Sequence, residues 1–218
     1  MTQDIVAEMS ISQIRGAVEE RFREAIPNLI LDNADWSRFE FAASLAKGES
    51  VADIGTGHGV MIHMLSMKTP CEQLTAVDIK THSQALLLEN ATYIEKSITD
   101  PNWDVPIHDT VICMEVIEHL ESTFNDRMLK NLRSIAGRRL IVTVPYNEPE
   151  PLWWHDRPGG HRQKFTLETL GRLFPSAVAT IQPRYGVDWV FVVEDKGLDH
   201  DGFRMVPKDD MLKLLENA

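Results

Sequence analysis

Residues 51–59, Val51-Ala52-Asp53-Ile54-Gly55-Thr56-Gly57-His58-Gly59, decide how the chain folds. The apolar start reads as a short buried strand from Ser50 to Ile54, the glycines as a turn, and the run from Val60 to Leu65 as the first turns of a helix. A strand, turn and helix in that order point backbone N–H groups and the positive end of a helix at the strand's carboxyl edge, where α/β folds bind nucleotide-like ligands. The glycines are spaced G-x-G-x-G, and Val60 stands where a dinucleotide fingerprint has its third glycine.

Outward from this stretch, strands and helices alternate. Leu74 to Val77 reads as a second buried strand ending at Asp78, Ala91 to Glu95 as a third, Thr110 to Met114 as a fourth and Leu140 to Val144 as a fifth. Between them, Thr81 and Gln84 have capping-box spacing for a helix through Leu88, and Phe124, Met128, Leu132 and Ile135 form the inward stripe of a helix ended by Gly137. Thr166 caps a short helix that Pro175 closes, and strands near 179–184 and 189–194 are joined by Tyr185-Gly186 as a hairpin. This β-α alternation predicts a doubly wound, mostly parallel sheet with helices on both faces.

Upstream, Ile11, Ile14, Val18 and Phe22 define an amphipathic helix over 11–25, and a second is expected from Trp36 to Ala46, capped by Asp35. The first could serve as a substrate lid, cover the core or meet a homodimer partner. The expected organisation is a helical cap over 1–47, an α/β domain over 48–195 with a long acceptor loop at 145–164, and a polar tail over 196–218 with a helix near 209–215.

Composition narrows the classes. A chain of 218 residues supports one good-sized core, and a formal net charge of -11 argues against a general nucleic-acid surface. Cys71 and Cys113 lie too far apart for a C-x-x-C site and are expected to be reduced. No basic-then-apolar leader opens the sequence and no apolar run reaches membrane-spanning length, so a cytoplasmic protein without membrane insertion is expected.

Asp78 carries the clearest chemical signal. A carboxylate at the end of the second strand can accept hydrogen bonds from both hydroxyls of a ribose. Asp53, just before the glycines, can organise the loop's N–H groups and hold a ligand's ammonium group. His119 and His161 are candidate general bases, because an imidazole titrates near neutral pH. Trp153, Trp154 and His155 offer ring planes, and Arg157 and Arg162 offer cations for a carboxylate or phosphate, so the loop after Pro145 is a candidate acceptor pocket.

The G-x-G-x-G loop resembles motif I of the class I S-adenosylmethionine-dependent methyltransferases, and Glu115-Val116-Ile117-Glu118-His119-Leu120 resembles the E-V-I-E-H-L signature of one broad group among them. Arg38 to Ala43, Thr143 to Asn147 and His161 to Leu170 extend the likeness over residues 36 to 175. The resemblance implies a seven-stranded sheet with the last strand antiparallel, and S-adenosylmethionine as cofactor with S-adenosylhomocysteine as product. It places Gly55, Thr56, Gly57 and Gly59 around the methionine end of the cofactor, Asp78 and Ile79 at the ribose, Ser97 and Ile98 near the adenine, and Met114 and Glu115 near the methionine portion. Lys96-Ser97-Ile98 departs from the family's usual Gly-Asp ending there.

The function implied is methyl transfer to an oxygen or nitrogen of a small-molecule or glycan-precursor acceptor, with no metal assigned. Two alternatives stand beside it. In one, Glu115 and His119, four residues apart on a helical turn, join Glu118 and His161 around a divalent Mn ion, which resembles the RNA 3'-terminal 2'-O-methyltransferases. The other is a non-catalytic, cofactor-binding partner protein.

Overall fold

The computed structural model describes residues 9–68, 71–83, 85–152, 156–184, 186–198, 201–216 and 218. Helix α1 (Ile11–Ala25) starts where the side chains of Ser10 and Gln13 each accept the other's backbone N–H, and it buries Ile14, Val18 and Phe22. Helix α2 (Asn33–Leu45) begins earlier than expected, because Asp32 is its cap and Asp35 is the reciprocal partner. Both pack on α3 (Val60–Met67), which follows strand β1 (Ser50–Ile54) through the glycine loop.

Strands β2 (Gln73–Asp78), β3 (Ala91–Glu95) and β4 (His108–Met114) lie where the apolar runs put them. Next come two single-turn 3₁₀ helices, Ile117–His119 and Ser122–Phe124, then α4 (Asn125–Ile135) and β5 (Ala136–Tyr146). Helix α5 (Leu167–Leu173), capped by Thr166, leads into β6 (Val178–Gln182) and β7 (Asp188–Asp195). The chain continues through β8 (Arg204–Met205) and α6 (Lys208–Glu216).

The strands form one sheet in the order β3-β2-β1-β4-β5-β7-β6-β8. Only β7 runs antiparallel, against both β5 and β6. The sheet has eight strands rather than seven, because β8 adds to β6 in parallel. The polar tail is thus partly structural: Met211 and Leu215 of α6 are buried. Alternation along the strands sends Val51, Ala76, Ile112 and Ile141 into a core with α1, α2, α3 and α6. Their neighbours Ala52, Val77, Val111 and Val142 enter a second core with α4 and α5 on the opposite face. The strand order reverses between β1 and β4, which opens a crevice at their carboxyl ends.

Three local expectations are corrected. The described residues between β2 and β3 form no helix: the Leu86 N–H donates to the His58 carbonyl, the Leu86 carbonyl meets His63 Nε2, and the Thr81 N–H goes to Glu95. Those bonds replace a helical ladder; Gln84 lies outside the described residues. Gly137 does not end α4 but starts inside β5, where an added Cβ would lie 3.0 Å from the His108 carbonyl oxygen. Phe124, expected on the inward stripe, is exposed, while Met128, Leu132 and Ile135 are buried. β6 and β7 do pair as neighbouring antiparallel strands; Tyr185 lies outside the described residues.

Candidate active site

The glycine loop folds as it does because three of its residues have positive φ: Gly55 at 77°, Gly57 at 53° and Gly59 at 92°. At Gly55 an added Cβ would lie 2.2 Å from Val116 Cγ2, so only glycine fits between β1 and the segment after β4. The Gly55 and Thr56 N–H groups both donate to the Val77 carbonyl, binding the loop to the end of β2. Gly57 N–H donates to Asp78 Oδ2 at 3.0 Å, and Thr56 Oγ1 donates to Asp53 Oδ2 at 2.8 Å. Asp53 is buried, and burial, reinforced by the nearby Asp78 charge, pushes its pKa up to about 7 despite the Thr56 hydrogen bond.

Two cavities meet at Gly55. The larger, about 640 Å³ and mostly apolar, is lined by Asp78, Ile79, Ser97, Ile98, Glu115 and His119, among others. The smaller, about 180 Å³, has Arg38, Phe39, Asp53, Thr56, Gly57 and Met114 in its wall. The expected cofactor residues therefore gather around one crevice, and its larger part has the size of a small-molecule site. Gly59 serves from behind, as the N-cap of α3.

At the far wall, the chain after β4 brings histidines together. Arg162 N–H donates to the Glu118 carbonyl at 2.7 Å and Gln163 Nε2 to the Ile117 carbonyl at 2.8 Å, tying the long loop to the 3₁₀ turn. His161 consequently packs edge-on against His119, with ring centroids 4.9 Å apart. Its Nδ1 lies 2.6 Å from Glu148 Oε2, a buried contact that fixes the orientation of the ring. Glu118, His119 and His161 each present a ligand atom within 4.8 Å of the others. Glu118 is 1% exposed, and among the described residues neither of its carboxylate oxygens has a hydrogen-bond partner; His119 Nδ1 has none either. Burial, with Glu115 adding to it, raises the Glu118 pKa well above the carboxylate range. Burial, with His161 adding to it, lowers that of His119, which favours the neutral imidazole.

Glu115 does not join this group. The chain is not α-helical from 115 to 119, since Glu115 has φ 54° and the 3₁₀ turn starts only at Ile117. Its carboxylate accepts from Thr143 Oγ1 at 2.9 Å and Trp189 Nε1 at 2.7 Å, and pairs with Arg38 Nη1 at 3.1 Å. Trp153, Trp154 and His155 lie outside the described residues. Arg157 and Arg162 are exposed, and Arg162 Nη2 donates to the Arg157 carbonyl. Among the described residues of that loop, Gly159 is the one in the wall of the larger cavity. Site roles for Arg38, Glu148, Gln163 and Trp189 were missed. Arg38 and Gln163 had a signal, their places in the stretches 38–43 and 161–170 that resemble the family.

A family model described as a methyltransferase domain matches residues 20–177. The chain belongs to that family and is a class I S-adenosylmethionine-dependent methyltransferase with S-adenosylmethionine as its cofactor. Among solved structures it is similar to Burkholderia thailandensis 1,6-didemethyltoxoflavin-N1-methyltransferase with S-adenosylhomocysteine bound, at 15% identity and TM-score 0.60, covering 90% of this chain and 93% of that one. It is similar to the methyltransferase domain of bacterial CtHen1 at 19% identity and TM-score 0.58, covering 75% of this chain and 100% of that one. Magnesium protoporphyrin IX methyltransferase from Synechocystis PCC 6803 aligns at 16% identity and TM-score 0.55, over 85% and 98% of the two chains. No curated protein matches the sequence. Among the described residues, no helix is long and apolar enough to cross a membrane.

Proposed function

We propose that the chain moves the cofactor's methyl group to an oxygen, or a nitrogen, of a small-molecule or glycan-related acceptor by in-line displacement. One observation carries the reading: Asp78 and His119 line the same cavity, so a group suited to a ribose and a group suited to taking a proton face one space. In this reading Asp78 and Ile79 hold the ribose, Ser97 and Ile98 flank the adenine, and the Asp53 side of the crevice takes the methionine end. The acceptor lone pair forms the new bond to the methyl carbon, the S–CH3 bond breaks with its electrons going to sulfur, and the acceptor proton passes to an imidazole. Positioning supplies much of the rate. His119, whose environment favours the neutral form, is the base; His161, oriented by Glu148, stands beside it. The N1-methyltransferase likeness supports a small acceptor.

A second reading is favoured by Glu118. Two unpartnered buried carboxylate oxygens beside two imidazoles, one of them steered by a second carboxylate, fit a divalent cation with open coordination positions. Glu118, His119 and His161 would hold it, and the ion would supply positive charge for binding acceptor hydroxyls. The likeness to the small RNA methyltransferase HEN1, at 18% identity over 80% of this chain and 27% of that one, supports RNA as the acceptor class of this alternative.

Labelled methyl transfer separates the two. On the first reading, transfer to small hydroxylated or amine acceptors persists in chelator and falls roughly 100-fold or more in His119→Ala with S-adenosylhomocysteine affinity unchanged. Loss of transfer in chelator with recovery in Mn would select the second, and full turnover in His119→Ala would defeat the proposed base.

A further inference from the structure

Helix α4 starts without a side-chain cap. Phe124 holds the N-cap position, and Asn125, a residue type suited to capping, stands one place further on with its side chain turned elsewhere. Its Nδ2 donates to Gln163 Oε1 and its Oδ1 accepts from Gln163 Nε2, both at 3.1 Å, so the two half-buried amides close a reciprocal pair. Gln163 Nε2 also donates to the Ile117 carbonyl at 2.8 Å. That carbonyl decides which end of the Gln163 amide is nitrogen, and Gln163 in turn orients Asn125.

The pair thereby ties three elements: the 3₁₀ turn that carries His119, the start of α4, and the segment that carries His161. Backbone bonds run alongside it, since the Arg162 and Gln163 N–H groups both donate to the Glu118 carbonyl, at 2.7 and 3.3 Å. Glu148 orients the His161 ring; the amide pair governs how closely its segment approaches the turn. The outcome is the edge-on meeting of the two imidazoles, with centroids 4.9 Å apart.

We infer that Asn125 and Gln163 are positioning residues for methyl transfer, whose amide pair holds the His161 segment against the turn and so sets where His119 stands in the larger cavity. Asn125 and Gln163 do not line that cavity themselves, whereas His119 and Gly159 do, so the pair acts through them. A base displaced by about 1 Å costs up to 100-fold in rate. The cofactor end of the crevice, at Asp78 on β2, is built independently and does not feel the change. This inference rests on the reading of His119 as the base.

Asn125→Ala, Gln163→Leu and the double variant test it on the full chain, by labelled methyl transfer, calorimetry with S-adenosylhomocysteine, and the nuclear Overhauser contact between the His119 and His161 rings. In Gln163→Leu, kcat should fall roughly 10- to 100-fold and the ring contact should be lost, with S-adenosylhomocysteine affinity within about twofold. Asn125→Ala should show a smaller loss, which vanishes in the Gln163→Leu background because Asn125 acts only through Gln163. Asn125→Asp separates positioning from helix starting: its charge favours the start of α4, but its second oxygen opposes Gln163 Oε1, so kcat should fall while the helix is not weakened. An unchanged ring contact and kcat in the single variants would overturn the inference, as would an equal loss of cofactor affinity or an Asn125→Ala effect that persists without Gln163. Should Gln163→Leu not fold, Asn125→Ala and Asn125→Asp carry the same contrast. Full turnover in His119→Ala would remove the base reading, and the ring contact would still report whether the pair holds the wall.

Discussion

The glycine loop and His119 line one crevice, yet the loop and the wall that carries His119 are built differently. In the loop, each carboxylate meets a donor from a glycine-loop residue: Thr56 for Asp53, the Gly57 N–H for Asp78. Residues 53 to 78 of one β-α-β unit supply all of it. The wall is assembled from three separate segments, around residues 118, 148 and 161, and it leaves the buried Glu118 carboxylate with no hydrogen-bond partner among the described residues. The loop is a finished cradle, whereas the wall has binding capacity that its own neighbours do not fill. A cofactor suits the first; an acceptor, or an ion, suits the second.

The largest test of that contrast is Gly55→Ala. A methyl group there would meet Val116 and force a side chain into the left-handed region, so we expect a stability loss of about 3 kcal/mol or more and loss of measurable cofactor binding. Thermal unfolding and calorimetry would report both, and a normally stable, cofactor-binding variant would show that the cradle is not rigid.

Asp53 gives the next effect, through pH. Its pKa in the folded chain, about 7, lies above the ordinary 3.8, so the folded state holds the extra proton between those values. The associated stability is fully present below about pH 4 and is lost as pH rises through about 7, by roughly 4 kcal/mol at most. In Asp53→Asn this component of the pH dependence should vanish, leaving the variant more stable than the parent at pH 8 without cofactor. Identical pH profiles for the two proteins would refute the buried acid.

Glu118 tests the wall with the opposite sign to an ordinary core mutation. Glu118→Met, an apolar replacement of similar volume, should raise stability in chelator by about 1–3 kcal/mol, because it removes a buried polar group lacking partners. Added Mn should then stabilise the parent and not the variant if an ion occupies the wall. A destabilised variant in chelator would mean that the carboxylate is satisfied after all. The smallest effect is at Gly57, where an added Cβ would meet nothing nearer than the Gly55 carbonyl oxygen at 4.0 Å: Gly57→Ala should cost about 1 kcal/mol, from its positive φ.

The same contrast explains what could be read from the residues. Strands β1 to β5, the loop and Asp78 were legible because apolar alternation and glycine chemistry are local. The missing helix before β3 was not, since Thr81 has a good cap spacing and only the tertiary bonds to His58, His63 and Glu95 override it. The short strand β8 has too few residues to show a period. At the wall, His119 and His161 could be named as chemical types, but their meeting depends on Arg162 and Gln163 bonding to the turn after β4. Glu115 misled for a related reason: spacing of four implies a shared face only on an α-helix, and the backbone turns left-handed there instead.

The measurement closest to the central claim is calorimetry of S-adenosylhomocysteine binding to the unaltered chain and to Asp78→Ala. With the cofactor in the crevice between the glycine loop and β2, the parent binds one equivalent and the variant loses roughly 10-fold or more in affinity, as removal of a charged hydrogen-bond acceptor requires. No binding by the parent, or equal affinity in the two proteins, would contradict it.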